Sequence, residues 1–177
     1  MSDYLKKNFF YNFYIIIIIF SLDRFSKLYV ISQNKANLLP NLFTSKYLNI
    51  SLIWNEGIAF GLFSFDKDIY YNSLTILICL IIIIIIWLLV RSSGFEKIGF
   101  LMIIGGSLGN LFDRLFYSAV PDFIDFHYNN FHWFIFNVAD IFITLGVMLL
   151  IFLELFTKKN YDKKFYITFY FYFICFL

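Results

Sequence analysis

Long apolar runs, broken by short polar clusters, set the pattern of this chain. Four segments hold roughly twenty residues each, enough to cross about 30 Å of hydrocarbon at ~1.5 Å per helical residue. They run from about Phe10 to Ile31 ("FYNFYIIIIIFSLDRFSKLYVI"), from about Ile69 to Val90 (with "LTILICLIIIIIIWLLV"), from about Ile98 to Phe116 ("IGFLMIIGGSLGNLFDRLF") and from about Phe136 to Phe156 ("FNVADIFITLGVMLLIFLELF"). The isoleucine run of the second segment has the residue type of a buried strand, but it is too long for one. It is nearly free of polar groups and is expected to face lipid and to support the fold. The first segment has the basic start of a signal peptide, yet no small-x-small cleavage site follows it, and Asp23, Arg24 and Lys27 interrupt its far half. It is therefore expected to stay as a helix of the folded protein.

Composition agrees. Of 177 residues, 61% are hydrophobic and only 15% charged, with mean hydropathy +0.77. A soluble domain has about a quarter of its residues charged. The net charge of +2 is too small to imply a nucleic-acid partner. Cys79 and Cys175 stand at no metal-binding spacing and read as bystanders. The distribution of charge is more informative than its sum. Lys6 and Lys7, then Arg91 and Lys97, then Lys158, Lys159, Lys163 and Lys164 all fall on one side of a four-span arrangement. The positive-inside rule makes that side cytoplasmic, with both termini inside. The opposite side receives residues 32–68 and 117–135, and the second of these contains no Lys or Arg. The chain thus reads as one membrane domain over residues 1–164. Residues 165–177 ("FYITFYFYFICFL") follow as a hydrophobic tail too short for an ordinary span.

With the direction fixed, the polar residues converge. The third span travels outwards and carries Asn110, Asp113 and Arg114 at its outer end, with Asp122 a few residues beyond. The fourth begins outside with Asn137 and Asp140, and the first carries Asp23 and Lys27 in its outer half. Asn110/Asp113 and Asn137/Asp140 are i,i+3 pairs and Asp23/Lys27 an i,i+4 pair, so each pair shares a helix face. Gly105 and Gly109 form a G-x-x-x-G that lets another helix approach. Asp23, Asp113 and Arg114 suit ion pairing that fixes the bundle. Asp122 and Asp140 differ, because no basic residue lies between them in the sequence. Brought together, two such carboxyls split their titration, so that one is protonated and the other ionised near neutrality. That pair suits acid–base hydrolysis with an intervening water. The same acids would also serve an ion- or proton-coupled transporter, or merely lock a bundle. In "VPDFIDFHYNNFHWFIFNVAD", Asp125 is expected to be a solvated loop acid. His127 and His132, five apart and without H-E-x-x-H, give no expectation of a metal.

At "LDRFSK", "WNEGIAFGLF", "GGSLGNLFDR", "VPDFIDF" and "FNVAD" the sequence resembles the lipoprotein signal peptidases, the bacterial signal peptidase II family. The resemblance extends over residues from about 20 to 156. It implies an all-α membrane protein of four transmembrane helices with a small β-rich external cradle, from about Leu38 to Phe65, in which "KYLNISLIWN" has the content of a strand. It implies an aspartic endopeptidase of the bacterial inner membrane that cuts diacylglyceryl-modified prolipoproteins on the N-terminal side of the lipidated cysteine. Among membrane lipids it would work as a monomer without a cofactor, its active site near the external surface. By the same resemblance Asp122 and Asp140 are the catalytic pair. Asp23, Lys27, Asn55, Gly57, Asn110, Asp113, Arg114 and Asn137 support the site or bind substrate. Residues 117–135 are the loop between the third and fourth helices. The sequence departs from the family at Trp54, where arginine is common, at Phe134 and Ile135, where a proline often precedes "FN", and in its apolar tail.

Overall fold

The structure, a computed structural model, describes residues 2–36, 42–57, 68–129 and 131–156, with side chains from Phe10 in the first helix and from Tyr71 in the second. The tail over 165–177 and the "IAFGLF" half of the second family motif lie outside these residues. Four helices follow the four apolar runs: α1 (Ser2–Lys35), α2 (Asp68–Arg91), α3 (Phe95–Tyr117) and α4 (Val138–Phe156). Among the described residues four strands accompany them: β1 (Phe43–Thr44), β2 (Leu48–Asn55), β3 (Val120–Tyr128) and β4 (Phe131–Phe136).

α3 is the central helix and packs against α1, α2 and α4. Its glycines explain how. A Cβ at Gly105 would lie 2.8 Å from the Ile19 Cβ of α1, and one at Gly106 would lie 2.5 Å from the Ala139 carbonyl oxygen of α4. The expected G-x-x-x-G face thus meets α1 at both of its glycines, while Gly106 lets α4 close on the neighbouring face. Below these contacts Leu101, Ile103 and Ile104 pack with Ile143, Val147 and Leu150 of α4 and Ile85, Leu88 and Leu89 of α2. On α2 the buried stripe is Leu74, Ile78, Ile82, Ile85 and Leu89, at three- and four-residue spacing. Its other face is exposed and apolar from Ile76 to Val90, including Ile83 and Trp87, as a lipid-facing helix requires.

Residues 71–91, 95–117 and 138–156 are each long and apolar enough to cross a membrane. α1 is longer than any of them, 34 residues, and Asp23, Arg24 and Lys27, which interrupt its apolar run, are paired inside the bundle. The fold is that of a multi-span membrane protein.

The sheet has the order β1-β2-β3-β4, antiparallel throughout. "KYLNISLIWN" supplies β2 as its composition suggested. Residues 117–135 are not a loop. They form β3 and most of β4, a hairpin turning at Asn129, whose φ of 54° is one that asparagine tolerates well. The hairpin completes the cradle by pairing β3 with β2, so the segment after α1 and the segment after α3 make one sheet. β3 also touches α1 and α3, which carries Asp122 onto the end of the bundle.

Candidate active site

The site is assembled at the start of α4. Asn137 precedes the first helical turn, and its side-chain Oδ1 accepts a hydrogen bond from the Asp140 backbone N–H at 3.2 Å. In return the Asn137 backbone N–H donates to Asp140 Oδ2 at 3.0 Å. This reciprocal capping box satisfies helix-end donors and fixes the Asp140 carboxylate at the positive end of the helix. Another end donor, the Ala139 N–H, is met from a different helix, by Asp23 Oδ1 of α1 at 3.0 Å. The second oxygen of Asp140, Oδ1, accepts from the Asn110 amide of α3 at 2.8 Å.

Asp122 reaches the same place from β3. Its Oδ1 accepts from the Asn137 side-chain amide at 2.6 Å and its Oδ2 from the Asn55 amide of β2 at 3.0 Å. Asn137 therefore holds both carboxylates, Asp122 through its side chain and Asp140 through its backbone. Asp122 is buried, whereas Asp140 keeps some access to solvent. Burial, reinforced by the negative charge of Asp140, pushes the Asp122 carboxyl up to about 7, with the Asn55 and Asn137 hydrogen bonds pulling the other way.

Behind the pair lies a charged cluster. Lys27 Nζ, fully buried, donates to Asp23 Oδ2 at 2.9 Å, to Asn110 Oδ1 at 2.8 Å and to Asp113 Oδ2 at 2.7 Å. All three donor hydrogens of the ammonium are used. Arg24 reaches the Asp113 carboxylate at 2.6 Å and lies over the Phe112 ring, 4.9 Å from its centroid. Two acids and two bases cancel, which allows them to sit at this depth. Arg114 is not part of this ion pairing. Its Nη2 donates to the Gly57 carbonyl at 2.9 Å, and the Gly57 N–H donates to Asn55 Oδ1 at 3.0 Å. Arg114 thus fastens the end of the cradle, and through Asn55 it steadies Asp122.

Every residue expected at the site joins this one hydrogen-bonded network. The sequence reading missed two contributors. Arg24 stood in the sequence only as one of the charges interrupting the first apolar run, yet it reaches Asp113. Tyr71 is the second: its hydroxyl donates to the Arg114 carbonyl at 3.3 Å. Nothing in the apolar approach to the second span marked it. Apart from this network, Asn49 bonds Asp125 at 3.4 Å. Asp125 itself corrects an expectation. It is not a solvated loop acid but 4% exposed, with His132 Nδ1 2.8 Å from its Oδ2. Strand pairing, invisible in the local sequence, buries it. At the first departure from the family pattern, Trp54 is opposite Pro121 and its ring lies 5.4 Å from that of Tyr117.

The comparisons agree with this architecture. The chain is 50% identical over 160 residues to a lipoprotein signal peptidase of Pelagibacter ubique, covering 89% of this chain and 96% of that one. It is 39% identical over 158 residues to one from Rickettsia africae, covering 85% and 75%. A solved bacterial membrane enzyme superposes with a TM-score of 0.67 at 26% identity, over 85% of this chain and 94% of its own. The profile of the family described as Signal peptidase (SPase) II matches residues 15–156, nearly the whole of the described membrane domain, and the chain belongs to that family.

Proposed function

We propose that this protein is an aspartic endopeptidase that removes the signal peptide from diacylglyceryl-modified prolipoproteins, cutting on the N-terminal side of the lipidated cysteine. The observation that carries this reading is the pairing of Asp122 and Asp140 through Asn137, with Asp122 at about 7. The precursor enters laterally from lipid with its acyl chains beside the helices. Its scissile carbonyl lies between the carboxyls at the outer face of the bacterial inner membrane. Asp140 takes a proton from water as the water oxygen attacks the carbonyl carbon, and Asp122 gives its proton to the carbonyl oxygen. In the second step Asp140 passes its proton to the cysteine nitrogen as the C–N bond breaks, and Asp122 recovers a proton from the hydroxyl that becomes the new carboxyl group. Asn55, Asn110 and Asn137 keep the carboxylates in position throughout, and such alignment is worth orders of magnitude in rate. No cofactor enters the scheme.

Purified protein incubated with a diacylglyceryl-modified prolipoprotein tests the reading, beside Asp122→Asn and Asp140→Asn at equal expression. Wild type is expected to release the signal peptide, and each variant to lose roughly 10³-fold or more in rate while retaining its fold. Equal cleavage by all three would refute the assignment of the pair.

A further inference from the structure

A second cluster of ligating side chains lies on the sheet, apart from the carboxylate pair. Asp125 follows Asp122 by three positions along β3 and so projects from the opposite face of the strand. His127, two further on, shares the Asp125 face. The register then does something specific. β3 and β4 pair Phe126 with Phe134 but His127 with His132, so Trp133 is an extra residue in β4. Without this bulge Trp133 would stand opposite His127. With it His132 does, and such bulges commonly re-aim a side chain. The imidazole rings stack at 5.2 Å between centroids.

The ligand atoms converge. His132 Nδ1 lies 2.8 Å and His127 Nδ1 3.9 Å from the same oxygen, Asp125 Oδ2. One atom from each of the three residues falls within 4.8 Å of the others. A tetrahedral ion with ~2.1 Å bonds separates its ligand atoms by about 3.4 Å, a value that these two distances bracket. Asp125 and His127 are buried, while the His132 side chain is 52% exposed and can turn by the few tenths of an ångström needed. The exposed side also leaves room for a water as fourth ligand. His127 Nδ1 has no hydrogen-bond partner among the described residues although the residue is only 8% exposed. A buried nitrogen in that state is uncommon. An Asp125–His132 hydrogen bond alone explains two of the residues and leaves His127 unexplained. Asn49, bonded to Asp125, supplies the outer support that ligating carboxylates usually have.

We propose that Asp125, His127 and His132 form a divalent transition-metal site that clips the β3–β4 hairpin together. Two imidazoles and one carboxylate suit Zn²⁺ or its neighbours better than Mg²⁺ or Ca²⁺, which favour oxygen ligands. The ion holds the strands in register and takes no part in the chemistry of Asp122 and Asp140.

The full chain, purified in detergent and stripped with a chelator, is titrated with Zn²⁺ against a chromophoric competitor and separately with Co²⁺, whose d–d absorption reports tetrahedral coordination. One ion per chain is expected. His132→Ala, His127→Ala and Asp125→Asn are each expected to weaken binding by on the order of 100-fold. His132→Cys restores it, with a thiolate-to-cobalt charge-transfer band. Because His132 is half exposed, its variants test the site without emptying the core. Binding that survives in Asp122→Asn/Asp140→Asn places the ion at the sheet whether or not the peptidase reading holds. Loss of binding in that double variant would overturn the proposal, and so would affinity unchanged by the His127 and His132 substitutions.

Discussion

Asp122 ties chemistry to stability through one proton. Its carboxyl ordinarily titrates at 3.8 and here at about 7, raised first by burial and then by Asp140. Between these values the folded chain holds a proton that the unfolded chain has released. Folding stability from this group is therefore present in acid and is lost as pH rises towards 7. Thermal unfolding followed in detergent between about pH 5 and pH 8 should show the midpoint falling with pH, and Asp122→Asn should flatten that slope. An equal slope in the variant would mean that other groups set it. The same proton is the one donated to the substrate carbonyl in the proposed reaction, so kcat/KM should have an alkaline limb near 7. Asn55 donates to the ionised form of Asp122 and lowers its pKa. In Asn55→Ala the limb should consequently move upwards, by roughly one pH unit, in addition to any loss of rate. A pH–rate profile of this variant with the limb unmoved or moved down would contradict the donor role of Asn55.

The elements differ in how much of them could be read from the chain. The four helices follow from apolar length, and the polar pairs on α1, α3 and α4 were legible because helical spacing fixes which residues share a face. The hairpin was not. β3 is buried on both faces from Val120 to Phe123, so it lacks the alternation that marks a strand, and the exposed aromatics of β4 resemble a membrane-surface segment. Its pairing with β2 joins residues far apart in sequence, and the bulge at Trp133 is a property of register alone. Asp125 was misplaced for that reason, whereas Asp122 was legible from its position just beyond the outer end of the third span, before the family motif around it was read. The helix contacts allow a sharper contrast. At Gly106 an added methyl meets the backbone carbonyl of Ala139, one residue before Asp140, and backbone cannot swing aside as a side chain can. Gly106→Ala should cost about 1–3 kcal/mol and lower cleavage by displacing the first turn of α4. Ile83→Leu, on the exposed face of α2, should change stability by less than about 0.5 kcal/mol and leave cleavage intact. Thermal unfolding and turnover of the two variants would check the ranking, and a reversal would mean that α2 has a partner on that face.

At the scale of the molecule the two ends of the bundle are unlike. One carries the sheet, the carboxylate pair and the neutralised charge cluster; the other carries the short α2–α3 connection, flanked by Arg91 at the end of α2 and Lys97 at the start of α3. A substrate whose cleavage site emerges outside the membrane can be cut only if the sheet end faces outwards, and the basic connection agrees with that direction. The orientation can be tested without reference to catalysis. With Cys79 and Cys175 replaced by serine, a single cysteine is introduced at Tyr128 on the sheet or at Ser93 in the α2–α3 connection, both exposed positions. A membrane-impermeant thiol reagent applied to intact spheroplasts should label Tyr128→Cys and spare Ser93→Cys, and in inverted vesicles the pattern should exchange. The reverse result would put Asp122 and Asp140 on the cytoplasmic side, where a precursor already translocated could not reach them, and the proposed cleavage would fail on topology even with the carboxylate pair intact.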